Sequence, residues 1–194
     1  MNSEIVTHLL ATFIYFLLII VLRLVGGGLS ELGLWGILGM FGGAVLGTFF
    51  LDIDHLIYWF ITHPEKEDSK EAGEAVRGLK IGNIREKAKG LFILLKKVHR
   101  THTRLIFHSV IGQIILLVLA FYLLTSGGSI LGSAFIMSIN LHLLKDEWQD
   151  YFKDKKHLID WLFWQVRAEI PEKQLTVYLV IVSLVFLGMT GLLI

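Results

Sequence analysis

Five long apolar segments constrain this chain more than anything else in it: residues 5–25, 32–51 (continuing through Phe60), 105–125, 130–144 and 175–194. A helix needs about 20 predominantly apolar residues to cross a hydrocarbon core roughly 30 Å thick, and all but the fourth segment have that length. Composition agrees, with 54% hydrophobic residues, 18% charged residues and a mean hydropathy of +0.65. The expected fold is an all-α integral membrane protein. A single membrane domain over residues 1–194 would form a bundle of about five transmembrane helices with interfacial amphipathic helices. The links "GGGLSE" and "SGGS" read as tight turns. Segment 5–25 has no basic residue before it and no small-residue cleavage site after it, so it reads as an uncleaved helix and not a signal peptide.

Lysine and arginine give the orientation. Of 18 such residues, eleven lie between His63 and Arg104 and six between Lys145 and Lys173, which leaves Arg23 alone. With five spans, the two basic segments, 61–104 and 145–174, fall on one side together with the N-terminus, and the positive-inside rule makes that side cytoplasmic. The C-terminus is then outside. The expected location is a plasma (inner) membrane and the expected partner is the bilayer itself; nothing in the chain points to nucleic acid. "LFILLKKV", ending at Val98, reads as an amphipathic surface helix, and Trp161 and Trp164 read as headgroup anchors.

Cysteine is absent, so any metal must be held by His, Asp or Glu. Those side chains concentrate in three motifs at span ends: "LDIDH" at 51–55, "HRTHTRLIFHS" at 99–109 and "NLHLLKDEWQD" at 140–150. Ionised groups cost about 2.5–3.5 kcal/mol each at mid-membrane, so polar clusters on such helices are expected to be paired, metal-bound or functional. The five-span topology brings all three motifs to the cytoplasmic face at one depth.

Helical spacing selects among their side chains. Gly39, Gly43 and Gly47 form a small-residue ridge, and at 100° per residue Asp54 lies about 20° and His55 about 80° from Gly47, with Asp52 about 140° away. Asp54 and His55 should point into the bundle, and Asp52 reaches the same site by bonding to His55 or if the helix loosens. Ser138, His142, Asp146 and Asp150 recur every four residues as one polar stripe, while Asn140 faces another helix. On a continuous helix His99 and His102 share a face opposite His108, so all three converge only if the chain breaks near Arg100 to Thr103. Glu4 and His8, spaced i, i+4, lie at the same membrane edge. His157 follows "KDKK" in a stretch that reads as solvated.

The three motifs, in this order, resemble the membrane-bound metal-dependent hydrolases of the YdjM type, LexA-regulated inner-membrane proteins. The match covers about 20 residues, in "LDIDH", "HRTHTRLIFHS" and "HLLKD", and seven residues separate Arg100 from His108 where the family string is compact. The resemblance implies a metal-dependent hydrolase. Together with the spacing it gives a metal set of Asp54, His55, His99, His102, His108, His142 and Asp146. Asp52 would be an added ligand or a base, and Arg100 and Arg104 would hold an anionic group such as a lipid phosphate. The expected cofactor is a divalent ion, zinc, manganese or iron, and the expected substrate an ester or phosphoester, including lipid. The alternatives are a non-enzymatic metal-binding membrane protein and a membrane di-iron oxygenase.

Overall fold

The computed structural model describes residues 3–77, 86, 89–91, 93–94, 102–127 and 129–194. Among them every regular element is helical: α1 (Ser3–Val25), α2 (Leu29–Phe50), α3 (Ile53–Ile57), a π-helical turn (Tyr58–Thr62), α4 (Glu67–Val76), α5 (Val110–Thr125), α6 (Ile130–Lys153), α7 (Lys155–Leu162) and α8 (Glu172–Leu193).

Among the described residues, three stretches are helical, long and apolar enough to cross a membrane: Glu4–Val25, Leu32–Thr62 and Glu172–Leu193. The other two expected spans differ for local reasons. The third begins late, because residues 102–109 leave the helix and α5 starts only after Ser109, whose Oγ accepts the Gly112 N–H at 3.1 Å as an N-cap. What remains, Val110–Thr125, is apolar but has only 16 residues. The fourth helix is longer than expected, with 24 residues, because its pattern runs past Leu144 into Lys145, Asp146 and Glu147.

The α2–α6 pair is the axis of the bundle. A methyl group on Gly43 would sit 2.1 Å from the Leu131 carbonyl oxygen, and one on Gly47 would sit 2.2 Å from that of Phe135. The glycine ridge thus lets two backbones touch, as its spacing predicts. Beside this contact Thr48 Oγ1 bonds Ser138 Oγ and Thr12 Oγ1, both at 2.9 Å, tying α1, α2 and α6. Asn140 donates to the Ile136 carbonyl at 2.9 Å and to the Leu116 carbonyl of α5 at 3.4 Å, the interhelical role expected of it. Helix α8 buries Leu175, Leu179, Val182, Phe186 and Met189 against the bundle, while Leu184 and Leu187 on its far side are each 62% exposed. Rows of this kind suit acyl chains as their surroundings and have no counterpart on an ordinary soluble surface.

Candidate metal centre

One end of the bundle holds a small, partly open cavity of about 40 Å³, lined by Glu4, His55, His102, Leu105, His108, Asp146, Gln149, Asp150, His157 and Trp161. That is room for an ion or a few waters. All three motifs reach it, although nearly 100 residues separate the first from the last.

The first group stands on long helices. His142 and Asp146 share a face of α6 one turn apart, with Nε2 3.2 Å from Oδ2, and His8 of α1 brings its Nε2 to 3.1 Å from Asp146 Oδ1. Candidate ligand atoms of His8, His142 and Asp146 lie within 4.8 Å of one another. His142 Nδ1–H donates to the Thr48 carbonyl at 2.7 Å, and a carbonyl can only accept, so in a neutral ring the Nε2 lone pair is left facing the Asp146 carboxylate. Two acceptors that face each other inside a protein need a proton or a cation between them. Lys145 offers one charge nearby, with Nζ 3.2 Å from His8 Nε2 and 3.7 Å from Asp146 Oδ1. The i, i+4 spacing of Glu4 and His8 is the signal by which sequence admits His8 to this group.

The second group depends on the loop 102–109. Asp54, fully buried, accepts the backbone N–H groups of Ile106, Phe107 and His108 at 3.0, 2.6 and 3.0 Å, and His108 Nδ1 lies 3.2 Å from its Oδ2. Its oxygens are therefore taken up in shaping the loop and orienting His108. This differs from the expected direct ligand: Asp54 points inward as helical phase predicts, but it meets the returning chain before it meets the cavity. His108 presents Nε2, which is buried with no hydrogen-bond partner among the described residues. Such an atom costs about 1–3 kcal/mol unless something binds it.

His55 and His102 form a pair. Their Nδ1 atoms are 2.9 Å apart, and His102 Nε2 lies 2.6 Å from Asp68 Oδ2, which also accepts the Trp59 indole N–H at 2.9 Å. His102 stacks on Tyr58, with centroids 3.9 Å apart and planes 22° from parallel. His102, expected as a metal ligand, thus has both ring nitrogens facing side-chain partners in this arrangement. Burial opposes the charge on Asp68, yet hydrogen bonds from His102 and Trp59 outweigh it and hold the carboxyl below its usual range. Asp68 is a residue that sequence reasoning missed, since nothing in "KEDSKEAGEA" distinguishes it from its acidic neighbours.

The imidazoles make a continuous series. Centroids are 3.8 Å apart for His8 and His142, 6.3 Å for His142 and His108, 5.9 Å for His108 and His55, and 5.1 Å for His55 and His102.

The remaining expected residues fall as follows. Asp52 is half-buried, gives its backbone carbonyl to the His55 N–H at 3.2 Å, and is close enough to act electrostatically on His142. Arg104 is exposed and near Tyr58, outside the cavity lining. His99 and Arg100 lie outside the described residues. His157, expected in solvent, lines the cavity with Nε2 3.5 Å from Asp150 Oδ2, because α7 folds back against α6. The same turn buries Trp161, whose indole N–H donates to Asp150 at 2.9 Å, so it is a core residue and not a headgroup anchor. Of "LFILLKKV", Leu91 and Leu94 pack with Trp59 and Ala72, and most of the rest lies outside the described residues.

No family model, curated protein or solved structure matches this chain.

Proposed function

We propose that the protein is a membrane-embedded, metal-dependent hydrolase that cleaves an ester or phosphoester at the cytoplasmic face, in the manner of the YdjM-type proteins its motifs resemble. The observation that carries this reading is that His108, with Nε2 buried and Nδ1 held by Asp54, and Asp146, whose carboxylate faces His142 and His8, line one small cavity, while the His142 ring is held from Nδ1 by the Thr48 carbonyl. Rings anchored through one nitrogen and open at the other are how proteins prepare imidazole ligands.

The residues present fit a divalent ion. His142, Asp146 and His8 would hold it, with His108 and His55 completing the donor set. Such all-nitrogen-and-oxygen donors suit zinc, manganese or iron. Bound there, an ion would polarise the scissile group and bring the pKa of its water down to about 7. The chain's own part is to orient and to exclude. Asp54 holds His108 in one tautomer, Leu105 and Trp161 close the cavity on its apolar side, and Asp52 would be the carboxylate that takes a proton. Arg104, exposed beside Tyr58, would meet an anionic headgroup at the rim. A five-span topology with this end inside an inner membrane belongs to the same proposal, supported by the clustering of Lys and Arg.

The test is metal analysis of the purified chain, followed by a hydrolysis screen on phospholipids and soluble phosphoesters. His142→Ala is expected to lose most of the bound metal and all turnover, while Asp160→Asn, at an exposed position, retains both. Full metal retention in His142→Ala would remove the site. A metal-replete protein that hydrolyses none of these substrates would sink the enzymatic half of the reading.

A further inference from the structure

We propose that Asp68 is a positioning residue for the metal centre: acting through His102, it fixes the tautomer of His55 so that His55 presents Nε2 to the cavity. The inference rests on the reading of the cavity as a metal site, and it adds a residue that lies outside all three motifs.

The argument follows donors and acceptors along the chain of contacts. An ionised carboxylate only accepts, so at 2.6 Å from Asp68 Oδ2 the His102 Nε2 must carry the proton. A neutral His102 then has its lone pair on Nδ1. The His55 Nδ1 that faces it at 2.9 Å must therefore donate, which leaves the His55 lone pair on Nε2. His55 lines the cavity, and its ring centroid is 5.9 Å from that of His108. Only a nitrogen with a lone pair can take a metal ion. One carboxylate two residues removed thus decides which nitrogen of His55 is able to bind.

Contacts elsewhere hold the ring and the carboxylate in place. Stacking on Tyr58 holds the His102 plane; the Trp59 indole N–H reaches the same Asp68 oxygen at 2.9 Å, a bond that leaves the protons of both rings unset. Helix α4, which carries Asp68, buries Ser69 and Ala72 where it docks. Without Asp68 both tautomers of the pair become accessible, and metal affinity falls by the fraction of protein in the wrong one and by the lost basicity of the ring.

The experiment uses the full chain in lipid nanodiscs, with two readouts: Zn²⁺ affinity by chelator competition, and the imidazole ¹⁵N signals of His55 in metal-free protein. Asp68→Leu is expected to weaken Zn²⁺ binding by about 10- to 100-fold, the usual loss for an outer partner of a ligating histidine, and to move the His55 signals toward mixed tautomers. Asp68→Asn keeps an acceptor oxygen and is expected to restore the single tautomer. Trp59→Phe breaks the other bond to Asp68 and should bind Zn²⁺ within about threefold of the parent, far less than the loss expected of a true outer partner. An unchanged His55 tautomer in Asp68→Leu overturns the proposal, as does an equal loss of affinity in Trp59→Phe, which would assign the effect to docking of α4. Failure of the unmodified protein to bind Zn²⁺ would instead defeat the metal reading, and the tautomer measurement would still decide the role of Asp68.

Discussion

The two imidazole groups at the cavity are held by different kinds of structure. His8, His142 and Asp146 stand on long helices whose spacing is set by touching backbones at Gly43 and Gly47, so their meeting follows from helix pitch and one close packing contact. His55, His102 and His108 stand on a five-residue helix and an irregular loop, and their meeting depends on individual hydrogen bonds to Asp54 and Asp68. The first group should therefore tolerate the loss of any one hydrogen bond, whereas the second should not.

The largest effect is expected at Asp54. Asp54→Ala leaves three backbone N–H groups and His108 Nδ1 without their acceptor, which should cost about 3–5 kcal/mol in denaturant titration and release the loop. Asp54→Asn sets an NH₂ against the same donors and is expected to fall between that and the parent. If Asp54→Ala were as stable as the parent, something other than this carboxylate would order the loop, and the contrast between the groups would fail.

A smaller loss is expected from the helical group. Gly47→Ala brings a methyl to 2.2 Å from the Phe135 carbonyl oxygen and should cost about 1–3 kcal/mol as α2 and α6 are forced apart. Gly188→Ala is its control. Nothing lies within 4 Å of that position, so it should be neutral or slightly stabilising. Equal effects at the two glycines would mean that the backbone contact does not set the spacing.

Lys145 sharpens the comparison further, because its ammonium serves only the first group. Lys145→Gln removes the positive charge near His8 and Asp146 and is expected to raise divalent-metal affinity severalfold, about 1 kcal/mol. A fall in affinity would show that the lysine is part of the site's support and not a competitor for it.

The smallest effect concerns acid. The folded-state pKa of Asp68 lies below its ordinary value of 3.8, so its contribution to stability is fully present above that value and is lost as pH falls through the folded pKa. Subtracting the acid titration of Asp68→Asn from that of the parent, followed by Trp59 fluorescence, should isolate a transition below pH 3.8. A difference centred near neutrality would assign the titration to the histidines instead.

Helices and their inward faces were readable from sequence because period and hydropathy are local properties. The Gly39, Gly43 and Gly47 ridge, the burial of Asp54 and His55, and the stripe from Ser138 to Asp146 all follow from 100° per residue and one apolar face. That the histidines of the middle motif converge only if the chain breaks was readable as a condition, since three histidines on one straight helix point in opposing directions; that residues 102–109 leave the helix was not, as the span was expected to begin at Leu105. The roles within the site were not. His102 has the same chemistry as His108, and only the path of residues 102–109 decides that one is engaged at both nitrogens while the other keeps Nε2 for the cavity.

Sequence by itself determined an all-helical, membrane-compatible chain without thiol ligands, and it concentrated histidine and aspartate at the ends of apolar segments. Only the tertiary structure decided that His8 meets Asp146, that His157 reaches the cavity, that Asp54 serves the backbone of another segment, and that Asp68 is tied to His102. The physical reason is that a polar side chain pairs with whichever partner the fold brings within about 3 Å, and for these side chains the partners lie 7 to 138 residues away.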